Sequence, residues 1–161
     1  MTLREQIQFD EGFRADPYPD FKGDADREKV RGLWRAFLEA GGTVAVGYGR
    51  NLSTNPLTGE EAGYLLNNDL QRVEGEVLGA LPWVNGLDAP RRAVILNMAY
   101  NLGTGSSARR MGLLGFPRML EALKKGDYQI AADEMLDSRW AGQVGERATR
   151  LARQMVSGAW Q

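Results

Sequence analysis

Apolar residues recur at helical spacing along most of the chain and alternate like a strand in one short stretch. Residues 2–11 predict a short helix: Thr2 is placed to cap it with Glu5 three residues on, Leu3, Gln6 and Ile7 share a face, and Gly12 ends it. The stretch "FRADPYPDFKG" (13–23) is turn-rich, with Pro17 and Pro19 forcing extended backbone around Tyr18. Residues 26–40 carry Val30, Leu33, Trp34, Phe37 and Leu38 on one face, with Asp26 at the start and Gly41-Gly42 at the stop. Such a stripe serves packing on its own lobe or, alternatively, docking of a partner or membrane. "TVAV" (43–46) is the strand, with Thr43 and Ala45 on one face, and it breaks into Gly47-Tyr48-Gly49. Glycine at both positions points to bare backbone, wanted by a tight turn or by something that approaches closely.

A second capping box, Thr58 with Glu61, opens a helix of about 59–80 whose apolar face is Ala62, Leu65, Leu66, Leu70, Val73 and Val77. "PWVNGL" breaks it. Helical patterns then cover 88–102, 116–124, 127–136 and 145–156, with a glycine- and arginine-rich loop at 103–115. The pattern describes an α+β chain, mainly helical, with a short antiparallel sheet in a small N-terminal lobe, a connecting helix and a helical C-terminal lobe.

Composition narrows the chemistry. The chain of 161 residues has no cysteine and no histidine, which removes thiol nucleophiles, serine or cysteine triads and the usual zinc sites. Acid–base chemistry must come from carboxylates. Net charge is −1, yet residues 1–90 hold 9 Lys/Arg against 15 Asp/Glu and residues 91–161 hold 11 against 6. That asymmetry fits an anionic partner on the C-terminal side or two attracting lobes; no basic run is dense enough for nucleic acid. The N-terminus lacks the features of a signal peptide and no apolar run reaches membrane-spanning length, so synthesis and folding in the cytosol are expected.

Asp10, Glu11, Asp16 and Asp20 crowd one short stretch. A glycosidase uses such a pair, one carboxylic acid protonating the leaving oxygen and one carboxylate ordering water or taking the sugar. On spacing alone the signal is weak, and solvated surface charge is the reading to prefer. The order of "DEG", "YPD", "GYGRNL", "LTGEEAGYLLNND", "LDAPRRAVILNMAYNLG" and "DSRW…ERATR", closing on "GAW", resembles the phage-type lysozymes, the endolysin muramidases of glycoside hydrolase family 24, over nearly the whole chain.

The resemblance implies a single lysozyme-like domain over 1–161 with a cleft between two lobes. The small lobe spans about 12–66, including the inserted helix at about 26–40; the connecting helix spans about 59–80; the helical lobe spans about 81–161 together with helix 2–11. It implies hydrolysis of the β-1,4 bond between N-acetylmuramic acid and N-acetylglucosamine in peptidoglycan. Glu11 matches the general acid and Asp20 the carboxylate that places or activates water. Arg147 matches an arginine beside the acid, and Asn101 and Trp140 match positions that line or brace the cleft. Gly47 and Tyr48 fall where backbone approaches the sugar chain, and Arg50 and Asp69 match a pair linking the small lobe to the long helix. No cofactor or metal is implied. The implied protein is a monomer with no stable membrane association, acting in the periplasm after a holin permeabilises the membrane.

Two departures from the pattern stand out. Roughly twenty extra residues separate Asp20 from the strand, and Ala45 takes the place of the threonine that helps hold the water. A methyl group neither donates nor accepts a hydrogen bond. Thr43, two positions earlier and about 7 Å away on the same face, is the candidate replacement. Lytic transglycosylase-like cleavage, or a catalytically impaired peptidoglycan-binding protein, are therefore the alternatives to an ordinary muramidase.

Overall fold

The computed structural model describes residues 2–11, 44–46 and 50–161, with only the backbone described at Glu11, Ala45 and Val46. The turn-rich stretch 13–23 and the expected helix 26–40 lie outside the described residues. The chain divides into two compact units, Met1–Gly12 with Leu65–Gln161, and Phe13–Tyr64.

In the smaller unit, β1 (Ala45–Val46) pairs antiparallel with β2 (Arg50–Asn51), Ala45 opposite Asn51 and Val46 opposite Arg50. The pairing continues one step outward, where Leu52 N–H donates to the Val44 carbonyl at 2.6 Å and Val44 N–H donates to Ser53 Oγ at 3.1 Å. Arg50 then organises the segment after β2. Its guanidinium donates to the Asn55 carbonyl at 3.0 Å and the Pro56 carbonyl at 2.6 Å, and it is paired with Glu61. Glu61 also completes the expected capping box: Thr58 N–H donates to Glu61 Oε2 at 2.8 Å, and Glu61 N–H donates to Thr58 Oγ1 at 3.2 Å. Within its own unit the Arg50 guanidinium thus takes Glu61. Glu61 lies closer along the chain to Arg50, and Asp69 is held by Arg72 of its own helix at 3.2 Å.

The helix opened by that box, α2 (Gly59–Ala80), buries Val73 and Val77 in the core. Leu65 of its expected apolar face stays 47% exposed, so only the last half of the helix contributes fully buried apolar side chains. A 3-10 turn at Pro82–Gly86 leads into α3 (Ala89–Leu102), where Asp88 caps by accepting from Arg91 N–H at 2.9 Å and Pro90 sits in the first turn. Residues 93–99 of α3 are buried without interruption, which makes it the central helix of the unit. Around it pack α1 (Leu3–Glu11), α4 (Pro117–Lys125), α5 (Tyr128–Leu136), α6 (Arg139–Val144) and α7 (Glu146–Ser157). Val94, Ile95, Met98, Leu113, Met119, Leu123, Met135, Leu151 and Met155 form one continuous core.

The loop 103–115 folds on itself through a bridge between Ser106 and Met111, with mutual N–H···O bonds of 2.9 and 3.1 Å. Gly112, at φ +66°, crosses so close to Gly105 that a side chain there would stand 2.7 Å from the Gly105 Cα. The hydrophobic pattern gave no sign of α6. It spans six residues and contains Gly142, too short to hold on propensity; Ser138 caps it by accepting from Ala141 N–H at 3.2 Å, and burial of Trp140 anchors it.

Arg91 ties the start of α3 to the end of α7. It donates to the carbonyls of Met155 and Val156, each at 2.8 Å, pairs with Asp88 at 2.6 Å, and lies over the Tyr128 ring at 3.6 Å. Gly158, at φ +65°, leaves room for that guanidinium, whose Cζ would stand 2.9 Å from an added Cβ. Gly158→Ala should therefore cost about 1–3 kcal/mol, read as a lowered midpoint in urea unfolding with unchanged slope.

The Glu61 box makes a pH prediction. The Arg50 hydrogen bond, then that from Thr58 N–H, lower the Glu61 pKa from 4.5 to about 2. A carboxylate depressed on folding stabilises above its unfolded pKa, and that contribution disappears as pH falls through about 4.5 towards 2. Acid titration by circular dichroism should show this limb in the wild type and its loss in Glu61→Gln.

Candidate active site

The last turn of α1 carries Asp10 and Glu11 into the helical unit. Ile7 and Gln6 on the same helix are each 1% exposed, which docks α1 against its neighbours. Gln6 is paired with the fully buried Gln154 of α7, whose amide also donates to the Pro90 carbonyl at 2.8 Å. Beyond these amides stands the Asp10 carboxylate, its side chain 2% exposed. Asp10 Oδ1 is paired with Arg150, and Oδ2 accepts from Asn97 Nδ2 at 3.0 Å and faces Arg147 Nε at 3.3 Å. Asn97 closes the arrangement: its Oδ1 accepts from Arg147 Nε at 3.1 Å and Nη2 at 2.9 Å. Three elements, α1, α3 and α7, thus meet at one carboxylate, and Glu11 is the next residue of α1.

A few residues further along the central helix, Asn101 Oδ1 accepts from Trp140 Nε1 at 3.0 Å. Trp140 is 3% exposed and meets Phe116 edge-on at 6.4 Å between ring centroids, whereas Asn101 is exposed. The indole therefore braces the Asn101 amide through its oxygen. Arg147, Asn101 and Trp140 all fall in the helical unit. Glu11 ends α1, with its side chain outside the described residues; Asp20, Thr43, Gly47 and Tyr48 also lie outside them. Among the described residues no group of three or more carboxylates is arranged to hold a metal ion.

Sequence reasoning noted Asp10 only as one of several nearby carboxylates and passed over Asn97 and Arg150. Two signals were present. Asn97 is the polar residue in the apolar run "AVILNMA", and a buried amide requires partners. Arg147 and Arg150 stand three apart and so share a face of α7.

The sequence model of the phage lysozyme family matches residues 8–155, and the chain belongs to that family, one of glycoside hydrolases. The chain is also similar to the pre-baseplate central spike protein Gp5 of Enterobacteria phage T4, 26% identical over 171 residues, an alignment that takes in 98% of this chain. The chain spans 28% of the length of that relative.

The Asn101–Trp140 contact predicts that Trp140→Phe keeps the fold and loses about 0.5–1.5 kcal/mol, the net worth of one hydrogen bond. Thermal unfolding with unchanged far-ultraviolet dichroism would check it.

Proposed function

We propose that the chain cleaves the β-1,4 bond between N-acetylmuramic acid and N-acetylglucosamine in peptidoglycan, in a cleft between two lobes, with Glu11 as general acid and Asp20 placing or activating water. The observation that carries this reading is the family match across 8–155, which includes both carboxylates at the spacing kept in this sequence. Membership in the family implies peptidoglycan as the substrate. Glu11 protonates the leaving glycosidic oxygen while Asp20 stays ionised, and attack by water on the opposite face inverts the anomeric centre. Gly47, Tyr48, Asn101, Trp140 and Arg147 belong to the walls and supports of that cleft.

The position opposite Asn51 in the ladder favours a second reading. Ala45 brings a methyl to the strand where a water-holding hydroxyl is expected, and Thr43 is the residue proposed to replace it. If neither serves, cleavage without a catalytic water, as in a lytic transglycosylase, remains open to the same acid, and a binding protein without turnover is the limiting case.

In the proposed setting the chain is synthesised in the host cytoplasm, works as a monomer and reaches the wall once a holin has opened the membrane. Among the described residues no helix is long and apolar enough to cross a membrane. The similarity to a spike protein supports an alternative deployment, as the lysozyme unit of a longer protein of that kind.

Wild-type protein should clear outer-membrane-permeabilised Gram-negative cells, and Glu11→Gln should lose that clearing by about 10²-fold or more, as expected on removing a general acid. Mass spectrometry should find reducing muramic ends; 1,6-anhydro ends would favour the transglycosylase, and wall binding without products the inactive protein. Equal clearing by wild type and Glu11→Gln would refute the assignment.

A further inference from the structure

Within the helical unit, α5 and α7 leave a groove that their own side chains do not fill. Its lining comes from one stripe of each helix at helical spacing: Ala132, Asp133 and Leu136 on α5, and Ala152, Arg153 and Val156 on α7. The cavity measures about 490 Å³, within the range of pockets that hold small molecules or short peptides. Ala132 and Ala152 lie deepest, 2% and 4% exposed, and their short methyls give the groove its depth. Leu136 and Val156 stay 45% and 40% exposed, although both line a concave surface. Apolar area is thus left for a ligand to cover.

The charges of the groove select the ligand. Asp133 accepts from Gln129 Nε2 at 2.9 Å, one turn earlier on α5, which fixes the carboxylate in place. Elsewhere in the unit the acidic side chains Asp10, Glu74, Asp88 and Glu121 each take a cation. Among the described residues Asp133 has no ion pair, and the Arg153 guanidinium has neither an ion pair nor a hydrogen bond. One anion and one cation therefore line the same groove without pairing with each other. A simple anion would be repelled by Asp133 and a simple cation by Arg153, and an apolar ligand would strip water from both without return. A molecule with a carboxylate and an ammonium on a short aliphatic stem satisfies both.

We propose that the groove between α5 and α7 is a subsite for a short zwitterionic peptide, its carboxylate on Arg153, its ammonium on Asp133 and its aliphatic stem over Ala132 and Ala152. The polymer implied by family membership, peptidoglycan, carries peptides with both groups, and these are the occupant. That choice of occupant rests on the reading of peptidoglycan as substrate; the demand for both charges does not. Bound there, the peptide holds the chain to the wall through a surface of the helical unit alone.

The experiment titrates isotope-labelled protein with the wall tripeptide L-alanyl-γ-D-glutamyl-meso-diaminopimelate, followed by nuclear magnetic resonance at low salt. Amide shifts should concentrate on 129–136 and 149–157. Arg153→Gln and Asp133→Asn should each weaken binding about three- to tenfold, the loss of one charged hydrogen bond at a half-exposed site. Both side chains are exposed, so an unchanged Tm is expected for these variants. Tripeptide acetylated on its amines, or amidated on its carboxyls, should bind wild type as weakly, which decides the matter without any substitution. Absence of groove shifts at millimolar tripeptide overturns the proposal, as does binding indifferent to both substitutions and both blocked peptides. Groove shifts that follow protein concentration without peptide also overturn it, since a second copy then covers the surface. Glu11→Gln separates this proposal from the catalytic reading. It should bind tripeptide as wild type does while losing clearing; a wild type that clears cells and binds no tripeptide refutes the subsite alone.

Discussion

A carboxylate with 2% of its side chain exposed, set between two guanidinium groups and an amide, is the contact on which the helical unit depends. Taking Asp10 out of water is costly, and the cost is met only because every partner is supplied by an element already held in place. Asn97 is fixed in the most buried stretch of the unit, and the two arginines sit on one face of α7. The Gln6–Gln154 contact one turn earlier repeats the arrangement with neutral groups. An N-terminal helix of nine residues, too short to persist alone, is thereby joined to helices roughly ninety and one hundred and forty positions away along the chain. The same joint places the residue after Asp10, which is Glu11.

The charge asymmetry of the chain takes on a specific meaning in this light. The sequence suggested either an anionic partner or mutual attraction of two lobes. In the structure much of the acidic excess of residues 1–90 that meets the basic C-terminal half does so inside the helical unit itself. Asp10 meets Arg147 and Arg150, Glu74 meets Arg92 at 2.6 Å, and Asp88 meets Arg91. Each acidic partner precedes or begins the central helix α3, while each basic partner lies on α3 or α7. Those pairs serve assembly of the helical unit. Arg91 shows how such a residue does more than pair, since it also satisfies the last carbonyls of α7 and covers Tyr128.

Local signals in the sequence predicted local structure well. The capping boxes at Thr2–Glu5 and Thr58–Glu61 form with both reciprocal hydrogen bonds, because each needs only residues three apart. The long helix 59–80 and those near 88–102, 116–124, 127–136 and 145–156 appear within a residue or two, as their stops are glycine or a broken period. Where the pattern misled, a longer-range contact had decided. Leu65 belongs to the apolar face of α2 by period and is half exposed, and α6 exists because Trp140 is buried.

By itself the sequence determined the absence of thiol and imidazole chemistry, the helix boundaries, the carboxylates available for catalysis and, through its ordered motifs, the lysozyme family. These follow from residue identity and from interactions between near neighbours, which a linear text displays. Only the tertiary structure decided that Asp10, one carboxylate among several in a short acidic stretch, is buried against Arg147, Arg150 and Asn97, and that Trp140 supports Asn101. The physical reason is that burial and the choice of an ion-pair partner depend on which surfaces the folded chain removes from water together, and no local period encodes that.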